Sequence, residues 1–149
     1  MSHPAPRDAH TRKQDTLAKL EHEIDAWLAA AGTDGDFRLL PLSFHWDGAG
    51  LTFATPAASP TGRILRASGR ARIGIGQTRD VVLIDGTVRT FEPGTVPAEF
   101  AEPFAEKHWD ARESEGFAFF RVTPTRILAW REENELPGRT LMRGGSWLV

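Results

Sequence analysis

The sequence predicts a mainly β fold, a six-stranded antiparallel β-barrel with a few peripheral helices. Three observations predict it. From Phe37 onward apolar residues recur with a period of two over successive short runs. Those runs are joined by tight turn signals, which makes neighbouring strands antiparallel. A long β-prone run is interrupted at Asp85-Gly86, by either a tight turn or a bulge that bends a strand around a barrel; β-prone residues on both sides favour the bulge. Six strands suffice to close such a sheet and remove its edges.

The elements follow in order. Residues 1–14 are polar and read as a disordered lead-in, with one folded domain over 15–149. Leu17, Leu20, Ile24, Trp27 and Leu28 recur at spacings of three and four, which predicts one helix stopped near Gly32. In the next run Leu40, Leu42, Phe44 and Trp46 alternate with Leu39, Pro41, Ser43 and His45. Asp47-Gly48-Ala49-Gly50 turns the chain, and Leu51 to Thr55 returns as the second strand of a hairpin. Ser59-Pro60 is an N-cap followed by proline at the first helical position, opening a short helix over 61–67 that stops at Ser68-Gly69. Strands are expected over 70–77 and 79–91, then a helix over 97–109 strained at Pro103. Two last strands, 117–122 and 126–131, are expected on either side of Thr123-Pro124-Thr125. The tail after Glu132 is rich in Pro and Gly.

Composition removes several function classes. The chain has 149 residues, 40% hydrophobic and 26% charged, and a formal net charge of −2. That charge offers no general attraction to nucleic acid or to an anionic membrane. No run of about 18 apolar residues is present, and none marks a signal peptide, so a cytoplasmic location is expected. There is no cysteine, which excludes disulfides, thiolate nucleophiles and cysteine-held metals. Tyrosine is also absent. None of the five histidines has the spacing of a metal pair, and no Gly-x-Ser-x-Gly elbow is present. Gly74-Ile75-Gly76 lacks the third glycine and the long helix of a dinucleotide fingerprint, and reads as small residues where a barrel strand is short of space. Glu99, Glu102, Glu106, Glu113 and Glu115 read as a solvated acidic face. No catalytic side chain and no metal ligand is assigned.

One segment carries chemistry. Between Phe53 and Arg66 a strand ends in Thr55, a loop follows, and a Ser59-capped helix carries Arg63 and Arg66. Hydroxyls, free helix N–H groups and guanidinium donors together suit a phosphate. The same residues also read as an ordinary cap with a basic solvated face. Trp130, near the end of the last strand, suits either a planar ring or a plug in the barrel end.

Several motifs, in order and spacing, resemble a known family. They are Leu39-Leu40-Pro41-Leu42-Ser43-Phe44, Trp46-Asp47-Gly48, Phe53-Ala54-Thr55 with Ser59, Asp85-Gly86-Thr87-Val88, and Pro124 to Trp130. Together they resemble the pyridoxamine 5′-phosphate oxidase-like superfamily of flavin and deazaflavin oxidoreductases, with the FMN-binding split-barrel fold. The resemblance implies a homodimer with a cofactor at the subunit interface: FMN, or alternatively the deazaflavin coenzyme F-420. It points to Leu42 and Ser43 beside the ring. Thr55, Ser59, Thr61 and Arg63 fall at the phosphate, Ala54 is counted with them as cofactor-binding, and Trp130 reaches in from the other subunit. Thr61 stands where family members commonly carry a lysine, and Ile64 where they often carry an asparagine. The implied activity is hydride transfer to or from a small organic substrate. A non-catalytic flavin carrier and a cofactor-free dimeric barrel are the alternatives.

Overall fold

A computed structural model describes residues 3–149. Eight strands form one sheet in the order β3-β2-β1-β4-β5-β6-β7-β8, and a further β3–β6 pairing closes its first six strands into a barrel. Every pairing is antiparallel. The barrel interior is filled by Leu28, Phe44, Phe53, Ile73, Ile84, Phe120 and Ile127, all fully buried. Among the described residues no helix is long and apolar enough to cross a membrane.

Helix α1 spans Ala9–His22, and Asp8 caps it by accepting from the Thr11 N–H at 2.7 Å. Its start falls inside the expected lead-in, so residues 9–14 belong to the ordered domain. Upstream, the guanidinium of Arg7 bonds to Glu135 and Asp15. The expected helix to Gly32 ends ten residues early, at His22. The rest of that segment is β1, Asp25–Ala31. Ala26, Leu28 and Ala30 point into the core while Trp27, Ala29 and Ala31 point out. Pairing with strands on both sides overrides the local helical spacing there.

The hairpin appears as expected, with β2 over Phe37–Trp46 and β3 over Leu51–Pro56. Helix α2, Pro60–Ser68, ends at Gly69, whose φ of 63° is the left-handed cap expected of glycine. Strands β4, Arg70–Ile75, and β5, Val81–Phe91, follow. Gly74 stands on the outer face, where an added Cβ meets nothing closer than 3.6 Å, so tight space does not explain it. Gly76 ends the strand region with φ 86°.

Helix α3, Ala98–Lys107, tolerates Pro103 and covers a second small core of Ala54, Phe91, Ala101, Phe104, Ala111 and Phe119. The two expected last strands are one, β6, Phe117–Trp130. The register slips opposite Asp85/Gly86, so Thr125 is the extra residue of a bulge and Pro124, which has no N–H, faces Gly86. In the tail β7, Thr140–Arg143, pairs with the second half of β6, and β8, Ser146–Trp147, turns back on β7.

Candidate functional site

The two edges of β2 differ. β1 pairs with it from Phe37 to Ser43, whereas β3 pairs with it only from Phe44 to Trp46. Among the described residues no strand meets the second edge of residues 37–42, so the barrel is split there. The Gly32 N–H donates to Asp36 O at 2.7 Å, and the Phe44 N–H donates to Ile24 O at 3.2 Å. Even-numbered residues of β2 therefore bond to β1, and the alternation turns the backbone groups of Phe37, Leu39 and Pro41 to the open edge. Pro41 costs no ladder hydrogen bond there, because its missing N–H would have faced away from β1. At the β1–β2 turn end the seam is bounded by α2. The Ile64 side chain lies 3.5 Å from where a Cβ on Gly32 would be.

The first turn of α2 forms a compact corner. Ser59 Oγ accepts from the Gly62 N–H at 3.0 Å and donates to Pro56 O at 2.7 Å, while the Arg63 N–H donates to Ser59 O at 3.0 Å. With proline at position 60, the Thr61 N–H is the donor of this turn that the cap leaves over. An added Cβ on Gly62 would lie 2.4 Å from Pro56 O and 2.8 Å from Ala57 O, so glycine is what lets the helix start touch the loop. Thr55 and Thr61 are each 5% exposed. Neither hydroxyl has a hydrogen-bond partner among the described residues, yet neither is sealed inside, unlike Thr52 Oγ1 and Arg12 Nε. Arg63 is exposed and has no acidic partner among the described residues, whereas Arg66 pairs with Glu92.

The expected site residues divide accordingly. Ser59 and Arg63 are joined at this corner by the cap bonds, with Thr61 between them in the first turn and Thr55 next to Pro56, whose carbonyl accepts from Ser59. Leu42 points its side chain into the core and its backbone toward β1. The Ser43 hydroxyl donates to Asp25 Oδ1 at 2.7 Å. Ala54 turns its side chain away, into the small core under α3. Trp130 is not at the corner: Thr55 pairs with Ala118, and Trp130 lies twelve positions further along β6. Fully extended, that is about 40 Å of strand. The open-edge residues Phe37, Leu39 and Pro41 were absent from the sequence-derived set. A proline inside a period-two run is the signal that marks such an edge.

Nearby, His45 is half-buried on β2, and burial together with Lys107 holds its imidazole below the ordinary range. His108 Nε2 lies 2.8 Å from Phe44 O. Glu99, Glu102, Glu106, Glu113 and Glu115 are all exposed, as the sequence reading expected.

A closed six-strand antiparallel barrel, opened along one strand beside a capped helix, defines a split β-barrel. The match to known proteins agrees: the family model described as pyridoxamine 5′-phosphate oxidase covers residues 13–131, and the chain belongs to that family. No curated protein matches the sequence. Similar solved structures include an F420 reductase, at 18% identity and a TM-score of 0.59 over 74% of this chain and 93% of that one. A pyridoxamine 5′-phosphate oxidase homologue from Listeria innocua has 18% identity and a TM-score of 0.66, over 80% of this chain and 98% of that one. The heme storage protein HutZ from Vibrio cholerae has 12% identity and a TM-score of 0.69, over 78% and 93%. At these identities the structures share the fold alone.

Proposed function

We propose that the protein is a flavin- or deazaflavin-dependent oxidoreductase that holds its cofactor in the seam of β2, with FMN the first choice and coenzyme F-420 the alternative. The observation that carries this reading is the first turn of α2, whose cap leaves the Thr61 N–H over, together with the Thr55 and Thr61 hydroxyls, which have no partner among the described residues and are not sealed from solvent. A phosphate there meets two hydroxyls, a helix N-terminus and the Arg63 guanidinium, and these donors fit a doubly charged group without a lysine at position 61. Ser59 supports the corner through its cap instead of offering its own proton. The open backbone groups of Leu39 and Pro41 suit the polar edge of a planar ring. When bound, the ring supplies the hydride chemistry; the chain binds it, orients it and excludes water. No side chain is assigned as acid or base.

The same reading makes the chain a homodimer. Trp27, Ala29 and Ala31 on β1 face Pro41, Leu39 and Phe37 on β2 across the outer surface. Trp27, Leu39 and Phe37 are 53%, 66% and 77% exposed, more apolar surface in one place than a monomer ordinarily leaves open. Because Trp130 sits at the far end of β6, the corner it can approach is the one on a second copy. F420 reductase activity, the property named for one structural neighbour, is in keeping with this proposal.

The visible spectrum of the purified protein, followed by titration with FMN, riboflavin and F-420, tests the reading. Arg63→Ala should weaken FMN about tenfold, the worth of one charged hydrogen bond, and spare riboflavin. Equal loss for both ligands would contradict the phosphate corner. A colourless protein that binds none of the three points to a cofactor-free barrel, and binding without turnover of any electron acceptor points to a carrier.

A further inference from the structure

We propose, resting on the reading that Trp130 reaches the cofactor corner of a second copy, that Asp80 is a positioning residue for Trp130. Its ion pair with Arg131 ends the β5–β6 ladder and fixes the direction in which the indole leaves the barrel. Trp130 is the last residue of β6 and pairs with Val81, the first of β5. It is half-buried, and the neighbouring Ala129 points into the core, so the indole stands on the outer face. Its N–H has no acceptor, and its ring no aromatic or cationic partner, among the described residues. By contrast, Trp109 Nε1 donates to Ser114 Oγ at 3.0 Å, and Lys13 Nζ lies over the Trp147 ring, 4.7 Å from its centroid. The fold leaves both the face and the N–H of the Trp130 indole unused.

Asp80 and Arg131 continue the Val81–Trp130 pair by one residue on each strand. Arg131 Nε lies 3.3 Å from Asp80 Oδ2. Arg131 Nη2 lies 3.6 Å from Asp15 Oδ2 of α1, and the Arg131 backbone N–H donates to Glu135 Oε1 at 2.9 Å. Asp80 also meets Lys19 Nζ of α1 at 3.1 Å and Arg7 Nη2 at 3.6 Å. Its own N–H donates to Gln77 O at 2.9 Å, which closes the β4–β5 turn. Three carboxylates and three cations therefore meet where β6 stops, and Asp80 alone touches all three cations within 3.6 Å or less. Side chains alternate across a strand, so holding one residue on one face sets the direction of its neighbour on the other. Arg131 is held on the α1 side, and Trp130 is thereby turned outward. The Asp80 and Arg131 side chains are 28% and 45% exposed, and ion pairs at such exposure add little to stability. Their pairing does more for the direction of the end of β6 than for its stability.

The test uses the full chain labelled with 5-fluorotryptophan at its five tryptophans. Trp130→Phe identifies the Trp130 fluorine resonance by its loss. Asp80→Asn should move or broaden that resonance and leave that of Trp109 in place, and Asp80→Glu, which keeps the charge, should restore it. In the parent, FMN should shift the same resonance. Asp80→Asn should weaken FMN and riboflavin alike, about three- to tenfold, the worth of one aromatic contact, whereas Arg63→Ala spares riboflavin. On top of Trp130→Leu, Asp80→Asn should cost less than about twofold more, because it acts through the indole. A urea midpoint close to the parent's checks that the variants keep the fold. If FMN shifts the Trp130 resonance in the parent but Asp80→Asn changes neither that resonance nor flavin affinity, the proposal is overturned and the cofactor reading stands. Full additivity of Asp80→Asn with Trp130→Leu overturns it too. If FMN does not bind, or leaves the Trp130 resonance in place, the cofactor reading fails and the proposal falls with it.

Discussion

Glu135→Ala tests how much of the fold depends on a buried carboxylate that ties the two ends of the chain together. Glu135 is 2% exposed. It accepts from the Arg7 backbone N–H at 2.9 Å, from Arg7 Nε at 3.0 Å and from Arg7 Nη2 at 2.7 Å, and from the Arg131 backbone N–H at 2.9 Å. The Arg7 side chain, foremost, lowers the carboxyl to about 2, against the opposing effect of burial. Set against an ordinary value of 4.5, that shift corresponds to about 3 kcal/mol of differential stabilisation. Breaking a buried ion pair from one side costs about 3–5 kcal/mol. Arg7 keeps Asp15 at 3.0 Å, so the low end of that range applies. With a urea slope of about 1.5–2 kcal/mol/M, the midpoint should fall by about 1.5–2 M at pH 7. The sign with pH follows from the lowered folded value. The contribution is complete above the unfolded value near 4.5 and is lost as the pH falls through the folded value near 2. The gap between parent and variant should therefore narrow steadily below about pH 4.5. Arg7→Leu combined with Glu135→Leu should recover much of the loss, since no unpaired charge stays buried. A Glu135→Ala midpoint at pH 7 that corresponds to less than about 0.5 kcal/mol, or a gap that does not narrow in acid, would refute the reasoning.

Other substitutions probe the corner and the outer face. Gly62→Ala puts a methyl 2.4 Å from Pro56 O and should cost about 1–3 kcal/mol in urea unfolding, because backbone must move. Ser59→Ala removes the α2 cap and should cost about 1 kcal/mol. Thr61→Val should leave stability within about 0.5 kcal/mol, since the hydroxyl bonds nothing among the described residues, while lowering FMN affinity in calorimetry. Trp27→Glu should lower the sedimentation coefficient to that of a monomer, and an unchanged value would place the subunit contact elsewhere.

The hairpin, α2 and the bulge were legible because local chemistry specifies them. Asp47 with its glycines dictates the turn, and its carboxylate accepts from the Ala49 and Gly50 N–H groups at 2.9 Å. Ser59, Pro60 and Gly69 bracket α2 by the caps each residue favours. The barrel has the six strands the sequence predicts, but for compensating reasons: β1 carries a helical spacing, and β6 runs unbroken through Thr123-Pro124-Thr125, where the local pattern divides it. Of the corner, the hydroxyls and Arg63 were visible in order along the chain. The orientation of Leu42 and Ala54 was not, because which face a strand residue presents depends on what packs on each side of the sheet.

By itself the sequence determined the absence of cysteine chemistry, and also the turns, the caps and the period of the strands, which act over a few residues. Only the tertiary structure decided that Asp25–Ala31 is a strand, that β2 has an open edge from Phe37, and that residues near Arg7 are held by Glu135. Each of these rests on partners far away in the chain. A backbone edge or a buried charge is satisfied by whatever the fold brings beside it, and no local spacing records that.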